Sequence, residues 1–126
     1  MRLLEDVTDV VPGHSAVGRR IAHEHDFYFD GHFPGSPVVP AIILIEMLAQ
    51  TGGIAAAATG DAPTLQLRVA GVGPFKFPTS AGPGATLEAS ARVTGRYGGL
   101  IKIEGTVTAD GRLVASGSVT LADQGQ

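Results

Sequence analysis

The sequence predicts an α+β fold in a single domain, residues 1–126, with one long buried central helix wrapped by a curved antiparallel sheet of about six strands. Three observations carry this. Only the apolar stretch 40–59 is long enough, and sufficiently free of period-two alternation, to form a buried helix. Six shorter segments, two before it and four after it, have strand character and are separated by turn residues. The chain carries 18 Gly and 8 Pro among 126 residues, but 44% of it is hydrophobic, so these residues mark turns and close backbone approaches rather than disorder.

Taken in order, residues 2–11 read as a first strand of weak alternation, and Pro12-Gly13-His14 as a turn. Residues 15–24 follow as a second strand, antiparallel to the first. The stretch from His23 to Pro40 is dominated by aromatic, Gly and Pro residues and reads as a structured loop. The helix is expected from Val39 or Pro40, where the missing proline N–H costs nothing, to about Thr59, with Gly60-Asp61-Ala62-Pro63 ending it. At 1.5 Å per residue this rod is roughly 28 Å long, enough to cross a sheet. Gly52 and Gly53 each cost about 1 kcal/mol in a helix interior, which predicts a very close neighbour there. Strands are then expected at 65–72, 85–94, 100–108 and 112–121, with a loop after the first and an Asp110-Gly111 hairpin turn before the last. Small inward residues, Ala89, Ala91, Gly105, Ala115 and Gly117, leave room for the helix against the sheet.

Composition narrows the function. A formal net charge of −3 argues against a nucleic-acid binder working by bulk charge. The longest apolar run, Val38–Ile45, is far short of a membrane span, and residues 1–10 lack the apolar core of a signal peptide, so a cytoplasmic protein is expected. There is no cysteine, hence no thiolate chemistry. His23 and His25 share a strand face but find no third ligand at convincing spacing, so no metal is expected. The residues suited to chemistry lie in Gly31–Gln50, GHFPGSPVVPAIILIEMLAQ. His32 sits on a Gly/Pro bend. Glu46 is a lone carboxylate in an apolar helix, where burial would raise its pKa, and Gln50 follows one turn later on the same face.

That stretch resembles the signature of the 3-hydroxyacyl-[acyl-carrier-protein] dehydratases of the hot-dog fold, roughly GHFPxxPVxPGxLxxExxxQ, with His32 and Glu46 fourteen positions apart as in the family. FKFPTSAGPGATL and TVTADGRLVASGSVTLA match later family segments, so the resemblance covers nearly the whole chain. It implies a hydro-lyase that removes water from a 3-hydroxyacyl thioester, in fatty-acid or polyketide and polyene biosynthesis. His32 would be the base and Glu46 the acid, supplied by partner subunits, and no cofactor would be needed beyond the phosphopantetheine arm of acyl carrier protein that holds the substrate. By the same resemblance the Ala41 N–H faces the thioester oxygen and the Val38 carbonyl fixes the imidazole tautomer, while the helical spacing lets Gln50 orient Glu46. Arg92, Arg96 and, more weakly, Lys76 would meet the carrier protein. The expected assembly is a homodimer, extended in a trimer of dimers, or a heterodimer with a related dehydratase subunit.

Two departures stand out. Ala41 replaces a family glycine, and the segment that the family places before the first strand is missing here, which points to a specialised-pathway member. The rival readings are a hot-dog thioesterase or coenzyme A-linked hydratase, and a catalytically silent subunit of a heterodimer.

Overall fold

A computed structural model describes residues 3–24, 26, 37–57 and 67–123. The chain runs β1 (Asp6–Val11), β2 (Ser15–Ile21), α1 (Ala41–Ala57), β3 (Leu67–Lys76), β4 (Thr86–Tyr97), β5 (Leu100–Ala109) and β6 (Arg112–Asp123). The six strands form one sheet in the order β1-β2-β4-β5-β6-β3, with every pair antiparallel. The expected architecture of one helix against one sheet is therefore present.

Helix α1 joins β2, near one end of this order, to β3, at the other end. It must therefore cross the sheet, and it packs on β2, β4, β5 and β6 as it does so. The sheet makes room for it with the small residues that the alternation of β4 and β5 points inward. Ala89, Ala91 and Gly105 are buried, and a side chain at Gly105 would strike the Ser90 carbonyl and Leu48 of the helix. Gly117 makes room for something else. Its missing side chain is replaced by the ring of Phe75, its register partner on β3. The core divides along the helix. Leu44 and Met47 pack with Leu87, Val107 and Val114, and Leu48 packs with Ile103, Val119 and Leu121.

Several boundaries differ from expectation, each for a physical reason. β1 begins at Asp6 because Leu3 and Leu4, at 1% and 6% exposure, leave the strand direction and plug the core. β1 is also irregular, with Asp9 at φ 52° where the register to β2 shifts. β2 stops at Ile21. Beyond it the chain turns around Asp26, whose carboxylate accepts from the His23 N–H at 2.9 Å while its own N–H donates to the His23 carbonyl. β3 continues through Gly73-Pro74, which the sequence reads as loop. It is an edge strand, and Pro74 sits in the register shift between Val72 and Phe75, where no ladder hydrogen bond is lost. Nor does β3 present a fully buried face: Leu67 is half-buried, and Val69 and Val72 are exposed.

The helix is not buried all round. Ile43, Leu44, Met47, Leu48, Thr51, Gly52, Ala55 and Ala56 face the sheet, whereas Ile42 is 67% exposed and Ile54 38%. The expectation of a very close neighbour holds for one glycine of the pair. A β-carbon at Gly52 would lie 2.5 Å from Ile103, but one at Gly53 would meet Leu67 and Leu121 only at ordinary contact distance.

Candidate active site

Glu46 lies on the open side of α1, half-buried, in a groove of about 800 Å³ between the helix and β3. Ala49, Gly53 and Ile54 form the helix wall, while Leu67, Arg68 and Val69 form the strand wall. Glu46 is the only acid lining this groove among the described residues, and Arg68 is the only base.

Glu46 is held by its neighbour one turn on. The Gln50 Nε2 donates to Glu46 Oε2 at 3.0 Å, and the Gln50 Oε1 accepts from the main-chain N–H of Leu3 at 2.9 Å. The helical i,i+4 spacing makes the first bond possible. The second comes from the far end of the chain and has no signal in the sequence. Leu3 is itself tethered: its carbonyl accepts from Arg20 Nη1 at 3.0 Å, and Arg20 Nη2 pairs with Asp26 Oδ1 at 2.7 Å. Both side chains of that ion pair are nearly buried, at 13% and 11% exposure.

The segment that leads into α1 is also fixed. The Val39 N–H donates to the Ala81 carbonyl at 2.8 Å, so Pro37–Pro40 leans on the loop before β4. Ala41 opens the helix, where an N–H has no intrahelical acceptor and the positive end of the helix dipole lies behind it. Val38 is half-buried just before it. The other end of α1 is clamped from two sides. The Gly13 N–H, in the β1–β2 turn, donates to the Ala55 carbonyl at 2.9 Å, and Arg96 Nη2 donates to the Ala56 carbonyl at 3.1 Å. Arg96 thus has a structural contact that its reading as a carrier-protein contact does not foresee. Arg92 is 62% exposed and lies 3.7 Å from Glu104, its register partner on β5, and Lys76 is exposed at the end of β3.

His32, the expected base, lies outside the described residues, as does His25. His23 pairs with Glu5 at 2.7 Å. The Ile21 N–H, bonded to the Glu5 carboxylate, and His23 beside it hold that carboxyl below the usual glutamate range. No group of three or more possible metal ligands occurs among the described residues. Nor is any described helix long and apolar enough to cross a membrane.

The chain matches the family model for the FabA-like domain over residues 1–118. Curated relatives span nearly its whole length. A 3-hydroxyacyl-[acyl-carrier-protein] dehydratase FabZ of Roseiflexus sp. (strain RS-1) is 32% identical over 120 residues, covering 95% of this chain and 84% of the relative. The FabZ of Syntrophotalea carbinolica is 34% identical over 114 residues, covering 90% and 78%. Among solved structures, the dehydratase heterocomplex ApeI:P from Xenorhabdus doucetiae superposes with a TM-score of 0.71 at 19% identity, covering 97% of this chain and 99% of that one. The PaaI protein of E. coli gives 0.72 at 17% identity, covering 95% and 79%. At such identities the structures speak for the hot-dog fold alone, and the sequence relatives speak for the family. The chain belongs to the FabA-like family and, within it, to the FabZ-type 3-hydroxyacyl-[acyl-carrier-protein] dehydratases, which are hydro-lyases.

Proposed function

We propose that this protein converts (3R)-3-hydroxyacyl thioesters on acyl carrier protein to trans-2-enoyl thioesters, using His32 as base and Glu46 as acid, with each site shared between two subunits. The observation that carries the reading is the placement of Glu46. A carboxyl oriented by Gln50 faces a groove whose far wall is the edge strand β3, beside the apolar residues Ile54 and Val69. Half a site with an unpaired edge strand and exposed apolar neighbours suits completion by a second copy.

The chemistry needs three groups. Neutral His32 takes the proton from C2, since imidazole titrates near neutrality. Glu46 delivers its proton to the 3-hydroxyl as the C3–O bond breaks, so that water leaves and the C2–C3 double bond forms. Charge that builds on the thioester oxygen is met by the Ala41 N–H at the helix start. Val38 would hold the second imidazole nitrogen through its carbonyl. Pro40 has no N–H to compete with Ala41. The acidic carrier protein would meet the exposed cations Arg92, Arg96 and Lys76, with Arg96 keeping one N–H on the helix end. Ala41 in place of the family's glycine adds a methyl group beside that N–H and leaves the donor in place.

Mixed dimers test the reading. Wild-type protein should dehydrate a 3-hydroxyacyl carrier-protein thioester, and His32→Ala and Glu46→Gln should each lower kcat by about 10²-fold or more. Unfolding and re-associating the two variants together should restore about a quarter of wild-type activity, because half the dimers are mixed and each of those has one complete site. No recovery in demonstrably mixed dimers would place both groups in one subunit. Thioester hydrolysis without dehydration, or an inactive wild type, would overturn the reading itself.

A further inference from the structure

The bonds around Gln50 determine more than its position. The Leu3 N–H can only donate, so the amide oxygen of Gln50 must face it and the NH₂ must face Glu46. A flipped amide would set donor against donor at Leu3 and oxygen against oxygen at Glu46. Glu46 Oε2 therefore receives a hydrogen bond from the NH₂ end of the amide, which can donate but not accept. When the carboxyl is protonated its hydroxyl oxygen is the poorer acceptor, so the bond from the NH₂ favours Oε2 as the carbonyl oxygen and places the acid proton on Oε1.

We propose that the main chain of Leu3 is a positioning group for the reaction. It locks the Gln50 amide and thereby selects which oxygen of Glu46 carries the transferable proton, while Arg20 and Asp26 hold Leu3 in place. This rests on the reading of Glu46 as the acid. The relay is continuous: Asp26 to Arg20 at 2.7 Å, Arg20 to the Leu3 carbonyl at 3.0 Å, the Leu3 N–H to Gln50 at 2.9 Å, and Gln50 to Glu46 at 3.0 Å. It joins β2 and the chain's start to the middle of α1. Its first member, Asp26, turns the chain six positions before His32. One ion pair thus ties the turn at Asp26 to the orientation of Glu46. Neither Arg20 nor Asp26 is on the helix, and neither lines the groove.

The test combines a spectrum with a mutant cycle. In protein labelled with ¹⁵N-glutamine, only Gln50, Gln66, Gln124 and Gln126 report. The Gln50 side-chain amide should give one proton shifted downfield and protected from exchange. Glu46→Gln should move that signal, and Arg20→Lys, which keeps the charge but loses the fork that reaches both Leu3 and Asp26, should weaken its protection. In kinetics, Arg20→Lys and Asp26→Asn should each lower kcat about tenfold with KM little changed. Arg20→Lys combined with Gln50→Leu should be no slower than Gln50→Leu alone, because Arg20 acts through Gln50.

A Gln50 amide that exchanges like a free side chain in the wild type would overturn the proposal even if the variants fail to fold. So would additive kinetic losses, or a loss that appears only in KM. An inactive wild type would instead end the reading of Glu46 as acid, and the spectrum would still decide whether the relay exists.

Discussion

Gly52 and Gly53 are neighbours in sequence and face different worlds. A β-carbon at Gly52 would lie 2.5 Å from Ile103, a fully buried β-branched side chain that cannot step aside. At Gly53 the nearest atoms, on Leu67 and Leu121, are 3.7 and 3.8 Å away, an ordinary contact. The same division runs along all of α1. On the sheet side, Thr51 gives its hydroxyl to the Met47 carbonyl and packs on Gly18, and Leu48 packs over Gly105. On the other side Ile42, Glu46 and Ile54 look out. One face is matched to its neighbours at near-contact distance and sets the helix in place. The other leaves apolar surface uncovered by this chain and carries Glu46.

The strongest way to break this comparison is to charge the open face. Ile54→Lys should leave the fold of the single chain nearly intact, because the long stem can run to solvent and a cation suits the last turns of a helix. It should nevertheless abolish self-association, measured by light scattering, and activity with it. A dimer that survives would mean that the open face is not the interface.

The glycine pair sharpens the contrast through sign. Gly52→Ala should cost about 1–2 kcal/mol despite the better helix propensity of alanine, since Ile103 has no room to yield. Gly53→Ala should gain about 0.5–1 kcal/mol in thermal or denaturant unfolding. A loss at Gly53 instead would reveal a partner packed as closely on the open face as Ile103 is on the other.

Smaller effects come from the clamps at the edges. Arg96→Ala, which strips a donor from the helix-end carbonyl of Ala56, should lower stability by about 1 kcal/mol. Dehydration measured on the folded variant should separate this structural contact from any carrier-protein contact, which would show as a raised KM for carrier-bound substrate alone. Glu5→Gln should have the smallest effect and the clearest pH signature. The Glu5 carboxyl is held below its ordinary range, so its contribution is fully present above the unfolded value of about 4.3 and is lost as pH falls through the lower folded value. The variant should therefore be slightly less stable than wild type near pH 6 and converge with it in acid.

The sequence announces the features that depend on local pattern. Alternation along β4 and β5 identifies the inward residues, the lone long apolar run identifies α1, and i,i+4 spacing brings Gln50 to Glu46. It misleads where one composition serves two environments. An apolar helix surface reads the same whether this chain covers it or a second one does, so the open face with Ile42 and Ile54 is invisible in the letters. Pro74 and the glycines around it resemble loop because the tolerance of an edge strand for proline depends on where the strand lies in the sheet. The Arg20–Leu3–Gln50 relay and the Arg96 clamp are contacts between residues up to 47 positions apart, with no periodicity to expose them. His32 stands out in sequence by its motif but lies outside the described residues.

The strand order also sets a timetable. β4, β5 and β6 are joined by two tight hairpins, the second through Asp110 and Gly111, both at positive φ, so this meander can zip up from local encounters in microseconds. β3 precedes the meander in the chain yet pairs with its last member, so its ladder must wait for a long loop to close. The wall that faces Glu46 across the groove thus arrives after the meander, as does the β1–β2 hairpin, whose ladder with β4 closes a longer loop still. Newly made chains would spend an interval with that border unmade, leaving the groove around Glu46 without its second wall.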